Sequence, residues 1–164
     1  MSSVTAVTSW EEWLAEHAGR FLFFARQQTR TEADAEDVLQ EALVETWRRA
    51  GGQPDVPLVY ATIRRRAIDL ARATDRRAVR EQAVATPSAA WFDTAVHQRE
   101  TTALLEDALR ALPEEQRLVV TLKDWGGLTF AEVAIALDIP PGTAASRHRL
   151  AMARLRELLQ PAFS

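Results

Sequence analysis

The stretch TFAEVAIALDIPPGTAASRHRLAMARLR, residues 129–156, contains two helical patterns separated by a short break. Thr129 opens a capping box for a helix to Leu137, a turn over 138–140 follows, and a longer helix is predicted over 141–159. A short helix, a tight turn and a longer helix make a helix-turn-helix pattern. This stretch therefore predicts a helical unit in which the two helices bury their apolar faces together.

The second of these helices carries the residue types that DNA recognition uses. It begins with the small polar residues Thr143 and Ser146 and continues with Arg147 and Arg149. Small side chains let a helix N-terminus approach phosphate, and arginine contacts phosphates and base edges in the major groove. The pattern favours DNA binding, and an ordinary helical hairpin with a solvated face is the alternative.

The rest of the chain repeats the helical signals. Helices are predicted over about 10–29, 32–49, 57–73, 98–111 and 113–124. Ser9 is the N-cap of the first, and the second lies between its N-cap Thr31 and the pair Gly51-Gly52. The third frays toward residue 80. Residues 83–97 lose this period and are interpreted as a linker. The sequence thus predicts an all-α protein of two small helical domains: a three- to four-helix bundle over 1–82 and a four-helix domain with the helix-turn-helix over 98–164.

Composition limits the class of protein. The chain has 164 residues, 47% of them hydrophobic, and no Cys, which excludes disulfides and cysteine zinc sites. Three scattered histidines (His17, His97, His148) make no metal constellation, so no metal or cofactor is expected. Without a Ser/His/Asp set or a Gly-rich phosphate loop, we expect no enzyme. No apolar run suits a membrane span or a signal peptide, so we expect a cytoplasmic protein without membrane insertion, monomeric when free.

Charge is distributed in blocks along the chain. Net charges are −6 over residues 1–47, +6 over 48–80, −4 over 81–127 and +1 over 128–164. Alternating acidic and basic blocks indicate two kinds of partner.

The basic block lies on the third predicted helix, YATIRRRAIDLARATDRRAVR (60–80), whose arginines lie largely away from an apolar face around Ile63 and Leu70. Such a density of arginine suits a polyanion track. The alternative is a solvated surface that pairs with the acidic first helices. Tyr60 and Trp47 could each stack on a base or pack in the core, and core packing is favoured for Trp47.

The acidic block contains DAEDVLQEALVE, residues 34–45. On a helical wheel, one face gathers Asp34, Asp37, Gln40, Glu41, Val44, Glu45 and Arg48. Carboxylates around an apolar residue suit a protein partner with basic residues and do not suit DNA. A solvated acidic face is the alternative, because one exposed Val is common.

In this order, the three segments resemble the extracytoplasmic-function sigma factors of bacterial RNA polymerase. ADAEDVLQEALVETWRR (33–49) is similar to the region 2 signature, and LVYATIRRRAIDLARATDRR (58–77) to the promoter-melting segment that comes after it. Residues 105–159 resemble region 4, including the LPEEQR opening, the GLT box, the IPPGT turn and the SR pair. The resemblance covers nearly the whole chain except the linker.

The resemblance implies a sigma factor that binds core RNA polymerase and directs initiation from specific promoters. It implies docking on the clamp helices of the largest polymerase subunit through Asp34, Asp37, Gln40, Glu41 and Val44. It implies −10 DNA binding through Tyr60, Arg64, Arg65, Arg66, Arg72, Arg76 and Arg77, with a flipped base near Gln53–Leu58. It implies −35 DNA binding through Thr143, Ser146, Arg147 and Arg149, and an anti-sigma factor as a further partner.

The sequence departs from the family at several of these places. Leu58 stands where the family usually has Trp, Arg65 where it has Asn, and Leu150 and Met152 where many members have Arg. Two other functions therefore stay open. One is a sigma-like mimic that binds an anti-sigma factor without reading DNA, and the other is a conventional helix-turn-helix regulator.

Overall fold

A computed structural model of the chain describes residues 2–81 and 100–163, with side chains described within 10–77 and 104–160. The helices are α1 Ser2–Arg26, α2 Glu32–Ala50, α3 Val56–Glu81, α4 Glu100–Ala111, α5 Glu114–Val120, a π-helical turn Thr121–Trp125, α6 Phe130–Leu137 and α7 Pro141–Phe163. No strand occurs in these residues, and the predicted all-α fold is confirmed. None of the helices searched in the described ranges is both long enough and apolar enough for a membrane crossing.

The chain divides into two compact units, Met1–Phe92 and Asp93–Ser164. The first contains α1–α3 and the second contains α4–α7. The predicted linker, 83–97, lies outside the described residues, so its structure stays a prediction.

Aromatic and aliphatic side chains from all three helices form the core of the first unit. Phe21 and Phe24 of α1 are fully buried, and their rings lie 4.9 and 5.2 Å from the ring of Tyr60 on α3. Edge-to-face contacts of this kind contribute about 1 kcal/mol each beyond the area that they bury. Trp47 of α2 is half-buried and packs on Trp10 with ring centroids 4.0 Å apart, so it lies at the edge of this core.

The ends of α2 agree with their sequence signals. The Thr31 hydroxyl accepts the Asp34 N–H at 3.0 Å, and Gly51 adopts the left-handed conformation (φ 69°) in which its N–H reaches the Trp47 carbonyl at 3.0 Å. Both predicted boundaries are confirmed.

The predicted start of α1 is wrong, because the helix begins at Ser2 and passes through Ser9. No Gly or Pro lies between these residues to stop a helix. The helix also ends earlier than predicted, at Arg26. There the side chains of Gln28 and Thr29 donate to the carbonyls of Phe24 and Ala25, both at 3.0 Å, and satisfy the last turn.

The helix-turn-helix of the second unit forms as predicted. Thr129 accepts the Glu132 N–H at 3.1 Å while the Glu132 carboxylate accepts the Thr129 N–H at 2.9 Å. Asp138 ends α6 in the left-handed region (φ 56°), which short polar side chains tolerate, and the chain then turns into α7. Val133 of α6 and Ala144 of α7 are fully buried.

The helix predicted over 113–124 changes its hydrogen-bond pattern midway. It is α-helical to Val120 and then forms the π-helical turn, where the Gly126 N–H donates to the Thr121 carbonyl at 2.9 Å. A Cβ atom at position 126 would lie 2.5 Å from the Leu122 carbonyl oxygen. Glycine is therefore the residue that fits the end of this turn.

Candidate functional site

The acidic face predicted on α2 is exposed to solvent. Asp37, Gln40 and Glu41 are exposed, Asp34 is partly buried, and Val44 is 45% exposed. The opposite side of the helix is buried through Ala35, Val38 and Ala42. The helical wheel thus separated the two faces correctly, and it left one large apolar side chain among the carboxylates.

Two shallow recesses lie along this face, between α2 and α3. The first, of about 470 Å³, is lined by Gln40, Glu41, Val44, Glu45, Arg48, Arg49 and Arg66. The second, of about 290 Å³, is lined by Asp34, Asp37, Val38, Glu41, Arg66, Asp69 and Leu70. Every residue predicted to dock a protein partner lines one or both recesses, so the face is a single uneven surface.

A carboxylate of α2 is shared by several arginines. The Glu45 side chain is 16% exposed and binds Arg66 Nη2 at 2.6 Å, Arg49 Nη2 at 3.4 Å and Arg65 Nη2. The hydrogen bond from Arg65 is the largest cause that holds the pKa of Glu45 below its ordinary value, and burial acts in the opposite direction. This cluster links α2 to the first half of α3.

The first half of α3 therefore carries arginines that already have partners. Arg66 Nη1 also donates to Glu41 at 2.8 Å, and Arg64 Nη1 donates to Gln28 at 2.9 Å. The alternative interpretation of the arginine face, pairing with the acidic first helices, holds for Arg65 and Arg66.

The second half of α3 presents a different set. Arg72, Arg76 and Arg77 are exposed, and none of them forms an ion pair with another described residue. The nearby Asp75 instead pairs with Arg30 at 3.5 Å. These three side chains are free to meet a polyanion.

Tyr60 does not belong to this surface. Its side chain is 1% exposed and packs between Phe21 and Phe24, and burial raises the pKa of its phenol to about 12. The prediction that Tyr60 contacts −10 DNA is therefore wrong for this structure, because its ring has no face left for a base. Leu58, two residues earlier, is 49% exposed.

The four predicted DNA-reading residues lie on the first three turns of α7. Thr143 and Ser146 are partly buried, whereas Arg149 is exposed and has no ion pair among the described residues. Arg147 Nη2 lies 3.8 Å from Glu115 of α5. His148 is half-buried, with Nε2 3.0 Å from Asp124 and its ring edge-to-face with Phe130.

Sequence reasoning missed an apolar groove in the second unit. The groove has a volume of about 630 Å³ and is lined by Leu105, Val120, Asp124, Trp125, Met152, Leu155, Arg156, Leu159 and Gln160. Met152, Leu155 and Leu159 recur at helical spacing, and this signal could have indicated an apolar stripe on α7.

Comparison with known proteins agrees with this arrangement. A family model described as Sigma-70 region 2 matches residues 13–77, and one described as Sigma-70, region 4 matches residues 102–155. The RNA polymerase sigma-E factor of Streptomyces avermitilis is 37% identical over 157 residues, which cover 94% of this chain and 87% of that protein. The ECF RNA polymerase sigma factor SigM of Mycobacterium tuberculosis is 30% identical over 151 residues, covering 92% and 77%.

A solved structure shares the fold. The sigma factor RpoE of Bartonella quintana, crystallised in complex with the anti-sigma factor NepR, superposes with a TM-score of 0.74 at 22% identity, and the match covers 93% of this chain and 97% of that one. The two matched sigma regions coincide with the two units that carry the acidic face and the helix-turn-helix. The chain therefore belongs to the extracytoplasmic-function subfamily of bacterial RNA polymerase sigma factors, which bind core polymerase and direct transcription initiation.

Proposed function

We propose that this sigma factor uses a different helix for each of its three contacts. In this proposal α2 docks on core polymerase, the second half of α3 holds the −10 element, and α7 reads the −35 element. The domains would be region 2 over 1–82, a linker over 83–97 and region 4 over 98–164. The observation that supports this division best is the separation of charge in the first unit. Carboxylates face outward on α2, while Arg72, Arg76 and Arg77 remain unpaired among the described residues of the neighbouring helix.

Polymerase docking is proposed for Asp34, Asp37, Gln40, Glu41 and Val44. Asp34 and Asp37 have no ion pair within the described residues. Basic side chains of a partner could therefore pair with them without breaking an existing contact. Val44 supplies an apolar centre, and charged groups around such a centre give orientation and a fast association rate. The clamp helices of the largest polymerase subunit are the partner that we assign to this face.

The −10 contact is proposed chiefly for Arg72, Arg76 and Arg77. Exposed arginines along a helix track a phosphate backbone, and each neutralised phosphate releases counterions. Arg64, Arg65 and Arg66 contribute less, because each already donates to Gln28 or to the carboxylates of α2. The segment Gln53–Leu58, with the exposed Leu58 at its end, is proposed to border the flipped base.

The −35 contact is proposed for Thr143, Ser146, Arg147 and Arg149 at the start of α7. Small residues there let the helix N-terminus approach the duplex, and Arg149 is available for a phosphate. Arg147 rests beside Glu115 at 3.8 Å, a separation that leaves its guanidinium able to turn to a base edge.

We also propose an anti-sigma factor as a partner of this chain. The sigma factor RpoE of Bartonella quintana, which has the same fold, was crystallised with the anti-sigma factor NepR. The apolar groove beside Trp125 and Met152 offers a surface that a protein partner would cover.

Run-off transcription tests the proposed function. The chain is combined with core polymerase purified from Streptomyces coelicolor, the source of a 36% identical sigma-E factor, on promoters selected by pull-down of the holoenzyme. We expect discrete transcripts that core polymerase alone does not give. Polymerase binding without any transcript would favour the mimic, and sequence-specific promoter binding without polymerase would favour a conventional regulator.

A further inference from the structure

Arg66 lies on the DNA-binding helix but makes its contacts with the neighbouring acidic helix. Its Nε and Nη2 atoms donate to Glu45 Oε1 at 3.2 and 2.6 Å, and its Nη1 atom donates to Glu41 Oε2 at 2.8 Å. Glu41 and Glu45 are one helical turn apart on α2. One guanidinium therefore spans both carboxylates, with three of its five N–H groups engaged.

The two carboxylates differ in how firmly they are held. The Glu45 side chain is 16% exposed and also binds Arg65 and Arg49, whereas the Glu41 side chain is 60% exposed and pairs with Arg66. Arg66 itself is 32% exposed. The more buried Glu45 thus anchors the guanidinium of Arg66, which in turn holds the more exposed carboxylate of Glu41 in one orientation.

The recesses of the docking face give an independent indication of where Arg66 points. Arg66 and Glu41 are the two residues that line both recesses. A partner side chain that enters either recess meets this ion pair. Arg66 therefore faces the protein-binding side of the unit.

We propose that Arg66 acts chiefly as a positioning residue for polymerase docking, which presets Glu41 for the partner, and only secondarily as a −10 contact. The proposal rests on the polymerase docking proposed above for α2. The planar fork of arginine suits this role, because it fixes the geometry of two carboxylates at once. A preset carboxylate loses less side-chain freedom when the partner binds.

A double-mutant cycle with Glu41 tests whether Arg66 acts through that carboxylate. The affinities of the full chain, Arg66→Ala, Glu41→Ala and the double variant for core polymerase of Streptomyces coelicolor are measured by fluorescence anisotropy. We expect Arg66→Ala to weaken binding about fivefold, the size typical of a partly exposed ion pair. In the Glu41→Ala background, the same substitution should change the affinity by less than about twofold.

Two further variants separate positioning from charge and from DNA contact. Arg66→Lys keeps the charge but offers a point donor that cannot span both carboxylates, so it should recover less than half of the lost affinity. Arg72→Ala is the matched control, since Arg72 lies on the same helix without an ion pair in the described part of the chain. It should leave polymerase affinity unchanged and lower promoter opening at saturating polymerase.

Each outcome of the cycle has a defined meaning. If Glu41→Ala binds polymerase normally, Glu41 takes no part in docking and the role of Arg66 fails, whereas docking through α2 as a whole is tested by Asp37→Arg together with Glu41→Arg. If Glu41→Ala weakens binding and Arg66→Ala does not, the positioning role alone is wrong. Equal losses in both backgrounds would show a general structural role and would also overturn the proposal. If Arg66→Ala fails to fold, Arg66→Met, which keeps an unbranched apolar stem, replaces it in the same cycle.

Discussion

The two halves of α3 carry arginines at similar density but in different surroundings. In the first half, Arg65 and Arg66 are bound by Glu45 and Glu41 of α2, whereas Arg72, Arg76 and Arg77 in the second half meet no described carboxylate. The α7 helix repeats the contrast on a smaller scale, because Arg147 lies 3.8 Å from Glu115 and Arg149 has no such partner among the described residues. Whether an arginine is available for DNA thus depends on the carboxylates of the neighbouring helix. The number of arginines along one helix does not reveal this.

The largest effect is expected where the acidic face is inverted. Asp37→Arg together with Glu41→Arg should lower polymerase affinity by at least about 100-fold, because like charges facing each other across an interface cost several kcal/mol. Both side chains are exposed, so the fold should remain intact. Glu36→Arg, an exposed position off the proposed face, is the control. Unchanged binding of the double variant in a pull-down with core polymerase would contradict docking through α2.

DNA recognition by α7 is tested by removing both arginines of its second and third turns. Arg147→Ala with Arg149→Ala should lower run-off transcription from a −35-dependent promoter by about tenfold or more, because base and phosphate contacts are lost together. Polymerase affinity should not change. Arg110→Ala with Arg154→Ala removes the same charge elsewhere in the second unit. Full transcription by the first pair would show that α7 does not read DNA here.

The unpaired half of α3 should matter more for promoter opening than the paired half. Arg72→Ala with Arg76→Ala should reduce open-complex formation about fivefold and lower the salt dependence of opening by about 1.4 in log–log slope, near 0.7 for each single-strand phosphate contact. Permanganate reactivity of the −10 thymines gives the measurement at several salt concentrations. A slope that stays at the wild-type value would mean that these arginines do not contact phosphate.

The smallest expected effect concerns the first half of α3, whose arginines pair with α2. This pairing should make the stability of the fold depend on pH. The pKa of Glu45 is lower in the folded state than its ordinary value of 4.5. Its pairing with arginine therefore stabilises the fold fully at pH values above 4.5, and this stabilisation is lost as the pH falls through the folded-state pKa. Glu45→Gln should therefore lower the free energy of unfolding by about 1 kcal/mol at neutral pH and by much less in acid. The loss stays this small because solvent screens the exposed guanidinium groups of the paired arginines. Thermal unfolding at several pH values, with Glu36→Gln as control, measures this difference. A cost independent of pH would contradict the ionic role.

The sequence predicted the elements whose signals are local. Thr31, Gly51 and the Thr129–Glu132 capping box each act within one turn of their own helix, so the boundaries that they predict are confirmed. The helix-turn-helix was predictable from the same kind of signal. The two faces of α2 were also correct, since a single helix repeats its faces regularly.

Features that depend on a second helix were not predictable in the same way. Tyr60 reads equally well as a surface aromatic or a core residue until Phe21 and Phe24 are placed against it. The pairing of Arg66 with Glu41 and Glu45 requires the register of α2 against α3, and helix packing sets that register. A charge pattern predicts that two helices attract, but it does not predict which side chains meet.

The π-helical turn at Thr121–Trp125 has a consequence for how this family member tolerates changes in length. Such a turn is equivalent to one residue inserted into an ordinary helix. A further residue inserted there could not be taken up in the same way and would rotate the downstream residues by about 100° around the helix axis. Asp124 would leave His148, and Trp125 would leave the apolar groove. Single-residue insertions in this segment should therefore be selected against.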